Sequence, residues 1–460
     1  DQERNTRSAA CSLRHEAAAM SYSKKPSFDD FLRPKLLDAA YGAMLLASAP
    51  ILLPRIRSSE RYRAGLEQRL GRVSPRIDGK RCLWVHAASV GEVQAARPLI
   101  GACQEEWPDL HIILSTQTKT GAETAAKVCS ECQHLYFPLD MSCIVQRVLD
   151  ALKPDCIALV EREIWPNFIE EAARREIPVI QVNARITEFS SKAYRWLYPV
   201  LGKTLQSISQ FAAQSDEYRE RFESLAIPAE RIQVTGNLKY DSVETSVDEA
   251  LVKRLRRETF IDEGQPILVA GSIHPGEEEL LVEACRPLWR KLPNFKLVLV
   301  PRHLEKTSQI ERRLMECQAP LFVRKTDLKD QASQSTSHGI VIADTVGELR
   351  GLYALATVVF IGGTFVPIGG HNLLEPAALA KPIVFGPQIY QQQADASYLL
   401  DAGAAVEVQE REALAKQVFH LFNSPALRTA MGNQAKLAVL EQQGSSDRTL
   451  KILRKYLFQT

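Results

Sequence analysis

Short apolar runs alternate with longer amphipathic stretches along most of this 460-residue chain. The apolar runs predict buried strands, and the helical period of the stretches between them, as over 143–152 and 166–175, predicts helices. Prolines punctuate many of the junctions between the two. This alternation is typical of a parallel, doubly wound sheet. The predicted strands of a first series are 82–88, 112–116, 134–137, 156–161, 179–183, 211–214 and 232–235.

A second series of the same kind begins near residue 266. Its predicted strands are 267–271, 296–300, 321–323, 339–343, 357–361, 382–385 and 404–406. The charged segment 245–262 is predicted to be helical and to lead into this half. The fold class predicted is therefore α/β. It comprises two Rossmann-like lobes whose carboxyl strand ends face each other across a cleft.

The N-terminal region has a different pattern. Residues 1–30 are polar without a clear period, and Met20 is one candidate for the biological start. The uncharged segment 39–54 has basic residues on both sides, but its sixteen residues fall short of the ~20 that span a bilayer. Pro50 is expected to interrupt it. We interpret the segment as a membrane anchor or interfacial helix, with a basic amphipathic helix over 62–71 beside it. The alternative is a helix packed on the next domain.

Composition narrows the class of protein. The formal net charge of +2, without a long basic run, argues against a nucleic-acid partner. Nine scattered cysteines indicate reduced thiols in a reducing compartment. Cys129, Cys132 and His134 resemble half of a metal site. Because no second ligand pair stands nearby, ordinary thiols are favoured and no metal or cofactor is predicted.

One carboxylate in the first half is placed like a catalytic group. The first apolar run ends in Ser89-Val90-Gly91 and then delivers Glu92. Open α/β sheets bind ligands at the carboxyl ends of their strands, so this position suits a general base. The alternative is an ordinary glutamate at a helix start, which the macrodipole favours.

Polar and glycine-rich loops follow four strands of the second half. Backbone N–H groups at helix starts hold phosphate without metal. Arg302 can make bidentate contacts to a phosphate. Asn372 is expected to cap a helix, and the carboxylate of Glu375 can accept hydrogen bonds from ribose hydroxyls. Four such loops in register indicate a nucleotide site, while the missing P-loop and first-turn G-x-G-x-x-G disfavour ATP hydrolysis and NAD chemistry. The loops are 271–279, 301–303, 344–349 and 362–376.

Eight ordered motifs then carry a family resemblance. They are HAASVGE (86–92), EREIWPN (161–167), VNARIT (182–187), GNLKYD (236–241), GSIHPGEEE (271–279), PRH (301–303), DTVGEL (344–349) and GGHNLLEP (369–376). From about residue 36 to 440 the chain resembles the 3-deoxy-D-manno-octulosonic acid (Kdo) transferases of lipopolysaccharide synthesis. The resemblance implies an inverting GT-B glycosyltransferase that moves Kdo from CMP-Kdo to the lipid A precursor lipid IVA and releases CMP. It also implies a metal-free enzyme anchored by its N-terminus at the cytoplasmic face of the bacterial inner membrane.

The resemblance assigns roles to residues of this chain. It implies that Glu92 is the proton acceptor and that Glu161 and Lys239 stabilise the transition state. Arg162 stands where the family usually has threonine, and we expect it to pair with Glu161 or Glu163 or to face solvent. The implied CMP-binding residues are Pro301, Arg302, Gly347, Glu348, Leu349, Asn372, Leu373, Leu374 and Glu375.

Two alternatives to this function remain, and the chain is predicted to have five parts. The enzyme alternative is another GT-B-like nucleotide-sugar enzyme, such as a non-hydrolysing UDP-N-acetylglucosamine epimerase. The other is a membrane-tethered solute-binding protein, which the missing export signal and the scattered cysteines disfavour. The parts are a polar extension (1–35), an anchor with a basic helix (36–72), an acceptor-binding lobe (73–240), a CMP-Kdo-binding lobe (241–440) and a C-terminal helix (441–460).

Overall fold

The computed structural model describes residues 28–58, 63–330 and 339–458. Two compact units divide the chain. The first extends to Gly236 and takes in the chain again from Ser446, and the second comprises Asn237–Ser445. Most of the predicted polar extension, including Met20, lies outside the described residues.

The first unit is built on a parallel seven-stranded sheet in the order β3-β2-β1-β4-β5-β6-β7. Its strands are β1 (Cys82–His86), β2 (His111–Thr116), β3 (Gln133–Tyr136), β4 (Cys156–Val160), β5 (Val179–Ala184), β6 (Gln210–Ala213) and β7 (Ile232–Val234). Its helices are α1 (Phe28–Ser58), α2 (Leu66–Arg69), α3 (Val90–Glu106), α4 (Lys119–Val128), α5 (Ser142–Leu152), α6 (Pro166–Arg174), α7 (Glu188–Trp196), α8 (Tyr198–Ser207) and α9 (Asp216–Glu223).

The second unit repeats this architecture in the order β10-β11-β9-β8-β12-β13-β14, again parallel throughout. Its strands are β8 (Ile267–Ile273), β9 (Lys296–Pro301), β10 (Phe322–Arg324), β11 (Ile340–Ile342), β12 (Val358–Ile361), β13 (Ile383–Phe385) and β14 (Ala405–Glu407). Its helices are α10 (Leu238–Asp241), α11 (Glu249–Glu258), α12 (Glu277–Lys291), α13 (Thr307–Glu316), α14 (Leu349–Leu355), α15 (Leu374–Ala378), α16 (Gln393–Asp401), α17 (Arg411–Asn423) and α18 (Pro425–Gln442).

The chain closes with α19 (Ser445–Phe458), nearly all of which belongs to the first unit. There Phe458 packs on Trp107, with ring centres 5.0 Å apart. Three short 3-10 turns complete the described secondary structure: Ala229–Arg231, Leu304–Lys306 and Asp327–Asp330.

The predicted fold class is confirmed, and each of the fourteen predicted strands is present. The central strands explain why the pattern was readable. Every residue of β1, β4 and β5 is buried, because helices cover both faces of the sheet. Such strands are continuous apolar runs, and Trp84 of β1 packs edge-on against Phe168 of α6 with ring centres 5.0 Å apart.

The predicted anchor lies within α1, a single helix that runs from Phe28 to Ser58. The expected interruption at Pro50 is wrong. Pro50 is exposed, so the carbonyl that loses its backbone donor is free to bind solvent. Within the residues described, no helix is long and apolar enough to cross a membrane.

The first part of α1 is attached to the first unit. The Asp38 carboxylate accepts the Ser142 N–H at 2.8 Å and the Asn167 amide at 3.1 Å. Further along, apolar side chains point into solvent, with Met44, Leu46 and Ile51 between 58 and 77% exposed. The helix α1 therefore packs on its neighbour early and presents exposed apolar side chains later, while its role as an anchor stays a prediction.

Candidate active site

Glu92 opens α3 at the carboxyl end of β1. Ser89 caps the helix by accepting the Glu92 N–H at 3.5 Å, and its hydroxyl donates to Glu92 Oε1 at 3.1 Å. The Ala88 N–H donates to Oε2 at 2.6 Å. This reciprocal arrangement is a capping box, so the structural role of a helix-start glutamate is real. It also holds the carboxylate in one position, which is what a general base requires.

The surroundings of Glu92 make it an unusually weak acid. Burial raises its pKa to about 7, and the negative charges of Glu163 and Glu161 add to the effect. The hydrogen bonds from Ala88 and Ser89 oppose the rise but do not cancel it. A base with a pKa close to the working pH is both available in its ionised form and strong enough to remove a proton.

Glu161 follows β4 in the left-handed region, with φ of 62°. Its Oε2 accepts a hydrogen bond from Arg185 Nε at 2.7 Å and forms an ion pair with Arg185 Nη2 at 2.6 Å. Arg185 stands after β5, the neighbouring strand. Of the two expectations for Arg162, pairing with a flanking glutamate or facing solvent, the structure has the second. Among the residues that the structure describes, the Arg162 side chain has no hydrogen bond or ion pair, and it faces solvent.

Two residues that the sequence prediction missed complete this edge of the sheet. Glu163 Oε2 accepts the Trp165 indole N–H at 2.7 Å and lies 3.7 Å from His86 Nε2. Burial opposes ionisation of Glu163, but the interactions with His86, Trp165 and Arg162 prevail and lower its pKa. His86 is fully buried, and burial lowers its pKa, so it is neutral near pH 7. Both residues lie within motifs of the family resemblance, and those motifs could have indicated them as site residues.

Lys239 lies on α10, at the start of the second unit. Its ammonium donates to Asp395 and to Gln392 Oε1, the latter at 2.9 Å. The Tyr240 hydroxyl donates to the other carboxylate oxygen of Asp395 at 3.2 Å. Asp395 therefore fixes the position of the Lys239 cation. No motif in the sequence marked it, because it lies 156 residues further along the chain.

Arg302 follows β9 and is exposed, while Pro301 ends the strand in a buried position. The Arg302 backbone N–H donates to the Ile273 carbonyl at 3.0 Å, which fixes the start of the loop. Within the described ranges its guanidinium has no hydrogen bond or ion pair. It is thus available to an anion.

The loop before α15 is organised by Asn372. Its Oδ1 accepts the Leu374 N–H, and its Nδ2 donates to Glu375 Oε1, both at 3.0 Å. The residue at the cap position is Leu373, so the expected cap at Asn372 is one residue early. Leu373 and Leu374 are completely buried in the core. Only their backbone groups can reach a ligand.

The third predicted nucleotide segment, 347–349, has a carboxylate that is already engaged. Glu348 binds the Lys325 ammonium at 2.7 Å and the Arg254 guanidinium at 3.1 Å. Lys325 is almost fully buried, so this ion pair is part of the unit's interior. Gly347 is exposed with φ of 83°, which leaves backbone groups as the contact surface of this segment.

The Glu277 carboxylate holds the glycine-rich loop after β12 in position. This fully buried carboxylate accepts backbone N–H groups of His274, Gly363, Thr364 and Phe365 at 2.8 to 3.1 Å. It ties the loops after β8 and β12 together. The neighbouring strand ends of β8, β9 and β12 thereby gather His274, Arg302, His303 and His371 at one edge of the sheet.

Later in the same loop, glycine is required by the protein's own packing. Gly370 has φ of 79°, and a Cβ there would lie 2.3 Å from Ile389 Cδ1. The packing against Ile389 is therefore sufficient to explain this glycine without a ligand.

The half metal site around Cys129 has no counterpart in the fold. In the described part of the chain no group of three or more His, Cys, Asp or Glu residues is arranged to hold a metal ion. Burial raises the pKa of the Cys129 and Cys132 thiols, which keeps both protonated at neutral pH.

Sequence comparison decides the family. A family profile described as 3-Deoxy-D-manno-octulosonic-acid transferase (kdotransferase) matches residues 64–242. The 3-deoxy-D-manno-octulosonic acid transferase of Haemophilus influenzae is 33% identical over 425 residues, which cover 91% of this chain and 98% of that protein. This chain belongs to the Kdo transferase family. The Kdo transferase of Chlamydia pneumoniae is 31% identical over 445 residues, covering 92% of this chain and 97% of its own length.

Structural comparison agrees with the predicted architecture of a Kdo transferase. The UDP-GlcNAc 2-epimerase of Neisseria meningitidis, solved bound to UDP-GlcNAc, superposes with a TM-score of 0.56 at 16% identity. The match covers 82% of this chain and all of that one. At this identity the likeness shows the fold alone. The chain thus shares its two-sheet fold with such epimerases and its family with the Kdo transferases, which are glycosyltransferases.

Proposed function

We propose that this protein transfers Kdo from CMP-Kdo to the lipid A precursor lipid IVA, with inversion at the anomeric carbon and release of CMP. Family membership supports the transfer of Kdo. The observation that carries the mechanism is Glu92, a carboxylate held at a strand end by two donors, with its pKa raised to about 7.

In this mechanism Glu92 accepts the proton of the attacking sugar hydroxyl. As the new bond from that oxygen to the anomeric carbon forms, the bond from the anomeric carbon to the phosphate oxygen breaks, and its electron pair leaves with CMP. The phosphate gains negative charge, which the free guanidinium of Arg302 can neutralise. The cation of Lys239, fixed by Asp395, suits the carboxylate of the sugar.

Glu161 enters this mechanism together with Arg185. A hydrogen bond and an ion-pair contact to the same oxygen hold the guanidinium against the carboxylate. The Arg185–Glu161 ion pair at the end of the first sheet therefore has no net charge. The net negative charge near Glu92 then comes mainly from Glu163, and negative charge at this position favours an oxocarbenium-like transition state.

We expect the rate of transfer to rise with pH and to level off above about pH 7. Glu92 acts only when ionised, so kcat/KM follows its deprotonation, and an unperturbed glutamate would place the midpoint near 4.5. Ser89→Ala removes a donor that favours the ionised form, so the midpoint should move to higher pH. Initial rates measured from pH 5 to 9 test this. A rate that is already at its plateau at pH 5, or no shift of the midpoint in the variant, would contradict it.

Radiolabel transfer from CMP-Kdo to a tetra-acylated lipid A precursor tests the activity itself. A labelled lipid product, with CMP released in equal amount, is the expected result. The same assay in EDTA should give an unchanged rate, because the leaving group carries a single phosphate that Arg302 and backbone N–H groups can neutralise. Loss of activity in EDTA that magnesium restores would overturn a metal-free mechanism, and the mass of the lipid product counts the Kdo residues added.

We further propose that the protein works at the cytoplasmic face of the bacterial inner membrane, attached through α1. The exposed apolar residues of α1 and the basic residues around it suit the interface of an anionic bilayer. Removing residues 1–58 should release the protein from sedimenting membranes. This deletion also removes the Asp38 contacts, so a gentler variant is needed.

Met44→Ser, Leu46→Ser and Ile51→Ser together leave the Asp38 hydrogen bonds in place. We expect this triple variant to move to the soluble fraction with an unchanged melting temperature. Met315→Ser, at another exposed methionine, is the control and should stay with the membranes. If the triple variant sediments like the parent protein, the attachment lies outside this surface.

A further inference from the structure

Two histidines in the second unit share one hydrogen bond. His274 Nε2 lies 2.9 Å from His371 Nε2. The two ring planes differ by only 4°, and their centres are 5.2 Å apart. With the nitrogens only 2.9 Å apart, the ring centres can be as far apart as 5.2 Å only if both centres and both nitrogens lie nearly on one line. Because the ring planes are also parallel, the rings meet edge to edge within one plane. This is an in-plane N–H···N hydrogen bond.

Such a bond fixes how many protons the pair can hold. One Nε2 must carry a hydrogen and the other must offer its lone pair. A further proton can enter only at Nδ1 of the donor ring, which turns it into an imidazolium and strengthens the bond to its neutral partner. A second one would place hydrogens on both Nε2 atoms and break the contact. The pair is therefore either neutral or singly positive.

The positive surroundings keep the pair neutral without a ligand. Burial lowers the pKa of both rings, for His371 to about 4. The neighbouring basic groups Arg302, His303 and Lys306 act in the same direction as burial. The His303 ring lies 5.6 Å from that of His274. All of these groups follow the end of β9.

The carboxylates of Glu277 and Glu278, near the pair, already bind other groups. Glu277 of α12 is directed at four backbone N–H groups, one of them that of His274. Glu278, the next residue, accepts the Gly276 N–H at 2.8 Å and lies 3.4 Å from the Arg313 guanidinium. A third carboxylate, that of Glu305, lies 3.5 Å from His303 Nδ1 and is exposed. Arg302, His303 and Lys306 are thus close enough to the two imidazoles to act on them, while Glu277 and Glu278 bind other partners. That arrangement suits an anion with two charges.

We propose that His274 and His371 form the phosphate site for CMP and take up one proton together with the released phosphate. The inference rests on the proposed function and deepens it. In CMP-Kdo the phosphate is a diester with one charge. When its bond to the anomeric carbon breaks, the electron pair stays on the phosphate oxygen, and the resulting monoester carries a second charge above its pKa of about 6.

The second charge changes the state of the histidine pair. A dianion beside the rings favours the imidazolium form, so the pair binds one proton from the solvent and becomes positive. The acceptor hydroxyl's proton goes separately to Glu92, so each charge is accounted for. By linkage, CMP binds more tightly as the pH falls toward 6.5, and its departure releases the proton.

Calorimetric titration of the full-length protein with CMP tests the proton uptake. The titration is run at pH 7.5 in buffers of different ionisation enthalpy, without phosphate. The slope of the binding enthalpy against buffer enthalpy should give about one proton per CMP. Cytidine, which lacks the phosphate, should give none. The double variant His274→Gln and His371→Gln should bring the count close to zero and weaken CMP about tenfold.

Controls separate the pair from other groups. His420→Gln changes an exposed histidine on α17 and should leave the count unchanged. Glu92→Gln should also leave it unchanged, which excludes the other group that titrates near pH 7. If the double variant melts at a lower temperature, His371→Gln alone keeps an amide against His274, and it should still remove at least half of the uptake.

The outcomes distinguish this inference from the proposed function. A wild-type protein that binds CMP without proton uptake overturns the role of the histidines and leaves Kdo transfer standing. An unchanged count in the double variant does the same. A wild-type protein that does not bind CMP contradicts the proposed function, and the phosphate site with it.

Discussion

Glu92→Gln should reduce Kdo transfer at least a hundredfold while the protein folds normally. General-base catalysis contributes about 10² to 10⁴ in rate, and an amide cannot accept the proton. Glutamine can retain the capping box, because its side-chain oxygen can accept the Ala88 N–H and its amide nitrogen can donate to the Ser89 hydroxyl. The loss of rate can therefore be assigned to the missing base and not to a disturbed α3.

Glu92→Ala gives the comparison. It removes the base together with the carboxylate half of the capping box, while Ser89 stays as the cap, so it should lose transfer to the same extent and also lose stability, by at most the roughly 0.5–2 kcal/mol of a lost cap. Ser89→Ala weakens the cap alone and should retain most of the turnover at pH 8. Initial rates and thermal melting of the three variants separate the two roles. Activity of Glu92→Gln within about threefold of wild type would exclude Glu92 as the base.

Arg302→Ala should weaken CMP binding by about 1.5–3 kcal/mol, the loss expected when a charge-assisted hydrogen bond is removed. Glu375→Ala should have an effect of similar size through the ribose. Lys239→Ala should leave CMP affinity almost unchanged and depress turnover with CMP-Kdo, because its cation serves the sugar. Asp395→Asn should imitate Lys239→Ala in part, since Asp395 holds that ammonium.

Calorimetry with CMP and initial rates with CMP-Kdo give both readouts for each variant. Arg312→Ala, at an exposed arginine of α13, is the matched control and should change neither. If Lys239→Ala loses CMP affinity as severely as Arg302→Ala does, the division of labour between nucleotide and sugar residues is wrong.

The strands were predictable because burial on both faces makes a parallel strand a continuous apolar run, as in β4. The positions of Glu92 and Arg302 at strand ends followed from the same pattern. Their partners did not. Arg185 reaches Glu161 because β5 pairs with β4, and Asp395 reaches Lys239 across 156 residues. Contacts of that kind depend on strand order and helix placement, which local periodicity does not contain.

Arg162 and Pro50 show two other limits of a local interpretation. The sequence left open whether Arg162 pairs with a flanking glutamate or faces solvent, and the choice depends on Arg185, to which Glu161 is bound. A proline within an apolar segment was expected to end a helix, yet α1 continues past Pro50 to Ser58. In both cases the competing partner, a neighbouring strand end or solvent, is invisible in the immediate sequence.

The Asp38 carboxylate connects α1 to the start of α6 through Asn167. The Asn167 amide donates to Asp38 on α1 at 3.1 Å and to the Asp140 carbonyl, while Asp140 in turn accepts the Asn167 and Phe168 backbone N–H groups at the start of α6. The loop that carries Glu161, Glu163 and Trp165 ends at this helix start. We therefore expect a change in the tilt of α1 to be felt at the acidic edge of the first sheet, through Asn167 among other contacts of Asp38. Under the proposed attachment of α1 to a membrane, the thickness and fluidity of that bilayer would then act on the rate of transfer.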